Sequence, residues 1–214
     1  REDPGIGNDH PTVSVIAVTK FNRPVGIVPA GLFLSRKEII MNNFKDDPHV
    51  SYSQISTYQM CPLKYRFSYV EHLAPEFTPA ALPFGGSVHE AIAHFYRQYQ
   101  SIGRKPGADE ITEIFITDWR LRLQSEEVRF DKGHDATSLE KMALGMLQRF
   151  CEDIQPGEII AVEAPFRLRK LDPSNGKMLP VPIVGVVDLV EKDQTGRVVC
   201  ADLKTAARKY QTSR

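Results

Sequence analysis

The sequence predicts an α+β fold, and three observations carry the prediction. Between residues 51 and 154 apolar side chains recur with the period of amphipathic helices. At Pro156-Gly157 that period stops. From 158 to 204 the chain turns to short apolar runs, rich in Val and Ile and parted by turn residues, which read as strands. The expected architecture is therefore N-terminal helices followed by an antiparallel β-meander, with a central sheet flanked by helices and no internal repeat.

Taken in order, residues 1–50 form an N-terminal extension of unclear role. In it TVSVIAVTK (12–20) and VGIVPAGLFL (25–34) read as short strands, or a strand and a loop, interrupted by Pro24 and Pro29. The main domain then runs over 51–214. SYSQISTYQMCPLKYRFSYV opens with Ser51 and Gln54 at capping-box spacing, followed by Ile55 and Tyr58 on one helix face. Pro62 ends or restarts that helix, because it lacks an N–H and its ring clashes with the preceding turn. FGGSVHEAIAHFYRQYQ (84–100) sets Val88, Ala91, Ile92, Phe95, Tyr96 and Tyr99 on one stripe, entered through a Gly85-Gly86 turn. A third helix covers 108–124 and a fourth 137–154, the latter with Thr137 and Glu140 as its capping box. EIIAVEAPFRLRK (158–170), VPIVGVVDLVEK (181–192) and RVVCADLK (197–204) are the strands, the last two joined by a tight DQTG turn.

Composition narrows the class without naming a partner. Hydrophobic residues make up 42% of the 214 and charged residues 25%, ordinary values for a soluble globular protein. Twenty-seven basic residues balance 27 acidic ones, so any nucleic-acid site must be a local patch. No apolar run approaches the ~20 residues of a membrane helix. Cys61, Cys151 and Cys200 are odd in number and far apart, with no CxxC pair, which supports neither a disulfide framework nor a self-contained zinc site. A cytoplasmic location is the expectation. The start at Arg1 and the stop at Arg214 suggest a fragment.

Chemistry concentrates in the strands. Asp202 and Lys204 share one strand face and Leu203 the other. With a turn centred near Thr195, residues whose numbers sum to 390 face each other, which puts Asp188 opposite Asp202. Two carboxylates ~5 Å apart at Cβ repel unless something neutralises them. Two readings stay open: a solvated face on which Lys204 pairs with an aspartate, or a site for Mg²⁺ or Mn²⁺. The apolar neighbours Val186, Val187, Leu189, Val190, Val198, Val199 and Ala201 favour a buried hairpin, where unpaired charge is costly. In HEAIAH, His89 and His94 lie about 140° apart on a helix and cannot share one metal.

GVVDLVEKD followed by ADLKT resembles the aspartate strand and Asp/Glu-x-Lys signature of the PD-(D/E)XK nuclease superfamily, in its RecB-like branch. Two upstream stretches match further motifs of that branch in order. They are the serine-rich helix ending in Cys-Pro, SYSQISTYQMCPLKYRF (51–67), and the Gly-x-x-x-His helix GGSVHEAIAHFY (85–96). The resemblance spans residues 51 to about 205 and is similar to AddB-type and CRISPR-associated exonuclease domains. It implies a restriction-endonuclease-like core and Mg²⁺- or Mn²⁺-dependent hydrolysis of DNA. His89, Asp188, Asp202 and the Leu203 carbonyl would be the metal ligands, and Lys204 the catalytic lysine beside Asp188 and Asp202. Glu163 resembles an acidic residue of the preceding strand.

The same resemblance touches Cys61, which in some relatives joins three later cysteines on a [4Fe–4S] cluster. Cys151 and Cys200 do not match those positions, so the cluster is not supported within this chain and Cys61 reads as a packing residue. The Gln-x-x-x-Tyr helix expected after the catalytic strand is missing, as if the domain lacked its C-terminal part. DNA is the implied partner, with a helicase or another recombination or CRISPR subunit possible and no small-molecule cofactor. Lys64, Tyr65 and Arg66, then Arg208 and Lys209, and Arg167, Arg169 and Lys170 are local basic clusters that either meet phosphates or face solvent. The competing function is a catalytically inactive DNA-binding or scaffold domain of the same fold.

Overall fold

Ser51 begins the first described helix as its spacing with Gln54 predicts. The Ser51 hydroxyl accepts from the Gln54 backbone N–H at 3.3 Å, and the Gln54 side chain accepts from the Ser51 N–H at 2.7 Å. The computed structural model describes residues 12–21 and 48–206 of the chain. The strand expected over 25–34 lies outside the described residues, as do Arg208 and Lys209.

The elements follow in chain order. Strand β1 (Thr12–Phe21) and the short β2 (Val50–Ser51) precede helix α1 (Tyr52–Met60). Helix α2 (Pro62–Tyr65) carries Pro62 at its first position, where the missing N–H costs nothing, and continues into a π-helical turn (Arg66–Val70). Strand β3 (Thr78–Pro79) leads into α3 (Ala81–Ile102) and α4 (Ala108–Ser125). Strand β4 (Val128–Arg129), helix α5 (Ala136–Asp153) and strands β5 (Glu158–Leu168), β6 (Ile183–Lys192) and β7 (Val198–Ala206) complete the order.

Strands β5 and β6 are each two residues shorter than expected, and two helix starts differ. Helix α5 is capped by Asp135 and Ser138 rather than by Thr137 and Glu140. The Asp135 carboxylate accepts from the Ser138 N–H at 2.7 Å while the Ser138 hydroxyl accepts from the Asp135 N–H at 2.8 Å. A carboxylate also suits the positive end of the helix dipole, and Thr137 falls inside the first turn. Helix α3, in turn, begins at Ala81, so Gly85 and Gly86 lie within it instead of forming an entry turn.

Strand β7 runs between β1 and β6 and is antiparallel to both. Its ladder with β6 pairs Leu189 with Ala201, Val190 with Cys200, Glu191 with Val199 and Lys192 with Val198, the register predicted from the turn. That turn is closed by the Gly196 N–H donating to the Asp193 carbonyl at 2.9 Å. Strand β2 pairs with β6 in parallel and β5 also pairs with β6, so the sheet is mixed.

The contacts divide the chain into two units. One comprises 1–22, 76–162 and 189–214, the other 23–75 and 163–188. The first holds the principal core: Val88, Ile92, Phe95 and Tyr96 of α3, Ile111, Phe115 and Trp119 of α4, Leu147 and Phe150 of α5, and Leu189, Ala201 and Leu203 of the strands. Phe95 meets Phe150 edge-on at 5.1 Å between centroids, an arrangement that aligns the ring quadrupoles. In the second unit no residue of α1, α2 or the π-helical turn is buried; Ile55 and Tyr58, which share one face of α1, are exposed.

Candidate active site

The chemistry of β7 follows from strand alternation. Ala201 and Leu203 turn into the core, each 2% exposed, so Asp202 and Lys204 occupy the opposite face. There the Lys204 ammonium donates to Asp202 Oδ2 at 2.7 Å, with the side chains 46% and 39% exposed respectively. The buried hairpin expected from the sequence is therefore one-sided. The apolar residues flanking Asp202 point away from it, and the aspartate keeps contact with water.

On β6, Leu189 is fully buried opposite Ala201, and Asp188 is the half-buried residue just before it. Glu163, half-buried in β5, has φ of 49°, in the left-handed region that non-glycine residues seldom enter. His89 is half-buried on α3. Its helix reaches β7 through Gly85, where a Cβ would stand 3.4 Å from Thr205 Oγ1, one residue beyond Lys204. Thr205 is a site neighbour that no sequence motif singles out. His94, on another face, lies 3.5 Å from Glu110 Oε1, and Arg104 and then His94 hold the Glu110 carboxyl below its usual range.

The cysteines remain separate thiols. Cys61 Sγ accepts from the Lys64 N–H at 3.4 Å and so caps α2, in keeping with a structural role. Burial pushes the Cys200 thiol up, and burial followed by Glu152 does the same to Cys151, which disfavours thiolates at both. Among the described residues, no group of three or more His, Cys, Asp or Glu side chains lies together as a metal site.

The basic clusters have varied surroundings. Lys64 is exposed on α2. Tyr65 packs in an aromatic row, 5.5 Å from Tyr58 and 5.3 Å from Tyr69 between centroids. Arg66 pairs with Glu71 at 2.5 Å. Arg167, Arg169 and Lys170 are exposed at the end of β5 and just beyond it. Among the described residues no helix is long and apolar enough to cross a membrane.

No curated protein and no solved structure gives a significant match to the chain. A family model does: residues 49–214 match that of the PD-(D/E)XK nuclease superfamily. The matched span contains His89, Glu163, Asp188 and the Asp202-Leu203-Lys204 strand, and it covers most of the chain. The chain belongs to the PD-(D/E)XK nuclease superfamily.

Proposed function

We propose that the chain is a Mg²⁺- or Mn²⁺-dependent deoxyribonuclease of exonuclease type, from the RecB-like branch, acting in DNA recombination, repair, phage or CRISPR-related processing. Superfamily members are usually metal-dependent nucleases and generally use divalent ions. The observation that carries the reading is β7 itself. Asp202 and Lys204 share one face with an Nζ–Oδ2 distance of 2.7 Å, while Leu203 between them anchors the strand in the core.

The donor chemistry fits such an ion. Carboxylates at Asp188 and Asp202 and the Leu203 carbonyl are hard oxygens suited to Mg²⁺ or Mn²⁺, and His89 would add an imidazole. When bound there, the cation would supply Lewis-acid polarisation of the phosphoryl group and acidify a water. The protein's own part is to hold the phosphodiester near Lys204, whose ammonium would stabilise the negative charge that develops on phosphate. Asp202 positions that ammonium through their ion pair.

The test is cleavage of end-labelled DNA by the parent protein with Mg²⁺, with Mn²⁺ or with EDTA, beside Asp188→Ala. Expected are metal-dependent products from the parent and a loss of about 100-fold or more in the variant, typical of removing a group that stabilises transition-state charge. Cleavage that persists in EDTA, or a fully active Asp188→Ala, would overturn the reading. DNA binding without cleavage under any metal would identify the non-catalytic DNA-binding domain instead.

A further inference from the structure

We infer that Arg122 is a DNA-phosphate-binding residue beside this site, an assignment that rests on the nuclease reading above. Arg122 stands near the C-terminal end of α4, and its Nε donates to Asp118 Oδ2 at 2.5 Å, one turn earlier on the same helix. That bond engages one donor of the guanidinium. Among the described residues Nη1 and Nη2 have no hydrogen-bond partner, although the side chain is only 35% exposed. Two half-desolvated NH₂ groups on a fixed fork match the geometry of a phosphate, which takes one N–H from each as a bidentate pair.

The fork lies against α3 at a residue without a side chain. A Cβ at Gly86 would stand 3.1 Å from Nη1 and 3.2 Å from Cζ of Arg122. Gly86 adjoins Gly85, where a Cβ would stand in ordinary contact with Thr205 of β7, 3.4 Å from its Oγ1. At about 100° per residue, the two approaches reach α3 from directions about 100° apart. His89, one turn further along, projects between them, about 40° from Gly85 and about 60° from Gly86. Arg122 is thus flanked on α3 by the histidine and, through Gly85, by the strand end that carries Lys204. Asp118 leaves the outer nitrogens available and prevents the stem from swinging away. The ligand class is a nucleic-acid backbone phosphate adjoining the one to be cleaved. No base edge is read here, so the contact adds affinity without sequence preference.

The experiment measures anisotropy of a labelled DNA duplex in EDTA, from 50 to 200 mM salt, for the parent, Arg122→Gln, Arg122→Met and Arg122→Lys, with cleavage kinetics alongside. One lost phosphate contact should weaken binding about 10-fold and reduce the slope of log K against log salt by about 0.9 in the Gln and Met variants. Arg122→Lys should recover the slope but only part of the affinity. In cleavage the change should fall on KM more than on kcat. Near-ultraviolet dichroism of the single tryptophan, Trp119, reports whether the core is intact. Arg122→Met preserves the apolar stem and decides the matter if the Gln variant does not fold. Unchanged salt slopes in variants of a parent that binds and cleaves overturn this inference alone. Reduced slopes in a parent that binds without cleaving sustain it while the catalytic reading falls, and a parent that does not bind DNA overturns both.

Discussion

Replacing Lys204 by Ala separates a catalytic lysine from a lysine that merely satisfies a strand aspartate. The Lys204–Asp202 pair is 2.7 Å long, but both side chains are more than a third exposed, so water screens it. Such pairs contribute roughly 0.2–1 kcal/mol to stability. For a chain of this size, 1 kcal/mol moves the melting temperature by about 2–4 °C. Lys204→Ala should therefore melt within about 4 °C of the parent. If the ammonium stabilises developing phosphate charge, the same change should slow cleavage at least 100-fold, equivalent to about 2.7 kcal/mol in the barrier. The assay is single-turnover cleavage with saturating Mg²⁺, run beside thermal denaturation of the same preparations. Lys204→Arg should stay nearly inactive, because a planar fork does not replace a compact point charge. Parent-like rates for Lys204→Ala would remove the lysine from the mechanism. A rate loss matched by a melting loss of 10 °C or more would make it a structural residue.

Two further perturbations probe the scaffold. In the second unit, a Cβ on Gly185 would come within 2.6 Å of Phe166 Cζ and 2.8 Å of its Cε1, so Gly185→Ala should cost about 1–3 kcal/mol in urea unfolding. Adding Phe166→Leu should relieve the clash, and strictly additive costs in the double variant would show that the ring is not what excludes the methyl. The cap of α5 should respond to acid. The backbone and side-chain hydrogen bonds from Ser138 hold the Asp135 carboxyl below its ordinary 3.8. A depressed folded-state pKa means that its stabilisation is complete above that value and is lost as pH falls through the lower one. Asp135→Asn should keep a cap yet flatten this part of the melting-temperature profile on the acid side of neutrality, and parallel profiles would refute the assignment.

Features that depend on near neighbours in the chain were legible in the sequence. Asp193 and Gly196 fix the β6–β7 turn, and with it the register that leads from Lys192 and Val198 to Leu189 and Ala201. Ser51 and Gln54 likewise act on each other across three residues. Where two local solutions overlapped, spacing could not choose: Asp135 with Ser138 and Thr137 with Glu140 both have capping-box separation, and only the first forms. The apolar sequence neighbours of Asp202 are not its spatial neighbours. Ala201 and Leu203 are apolar for the sake of the core on the far side of β7, and say nothing about the face on which Asp202 meets Lys204.

The glycine pair marks the opposite limit. Each glycine inside a helix costs roughly 1 kcal/mol relative to alanine, so local propensity rightly reads Gly85-Gly86 as a break. The helix nevertheless runs from Ala81 to Ile102 straight through both. The neighbours these glycines meet lie elsewhere in the chain: Thr205, 120 residues downstream of Gly85, and Arg122, 36 residues downstream of Gly86. Adjacent positions on a helix face about 100° apart, so the two glycines look toward different neighbours. At this pair a strand end and an arginine approach the same turn from two directions, with the tighter approach at Gly86, and that turn is the one preceding His89.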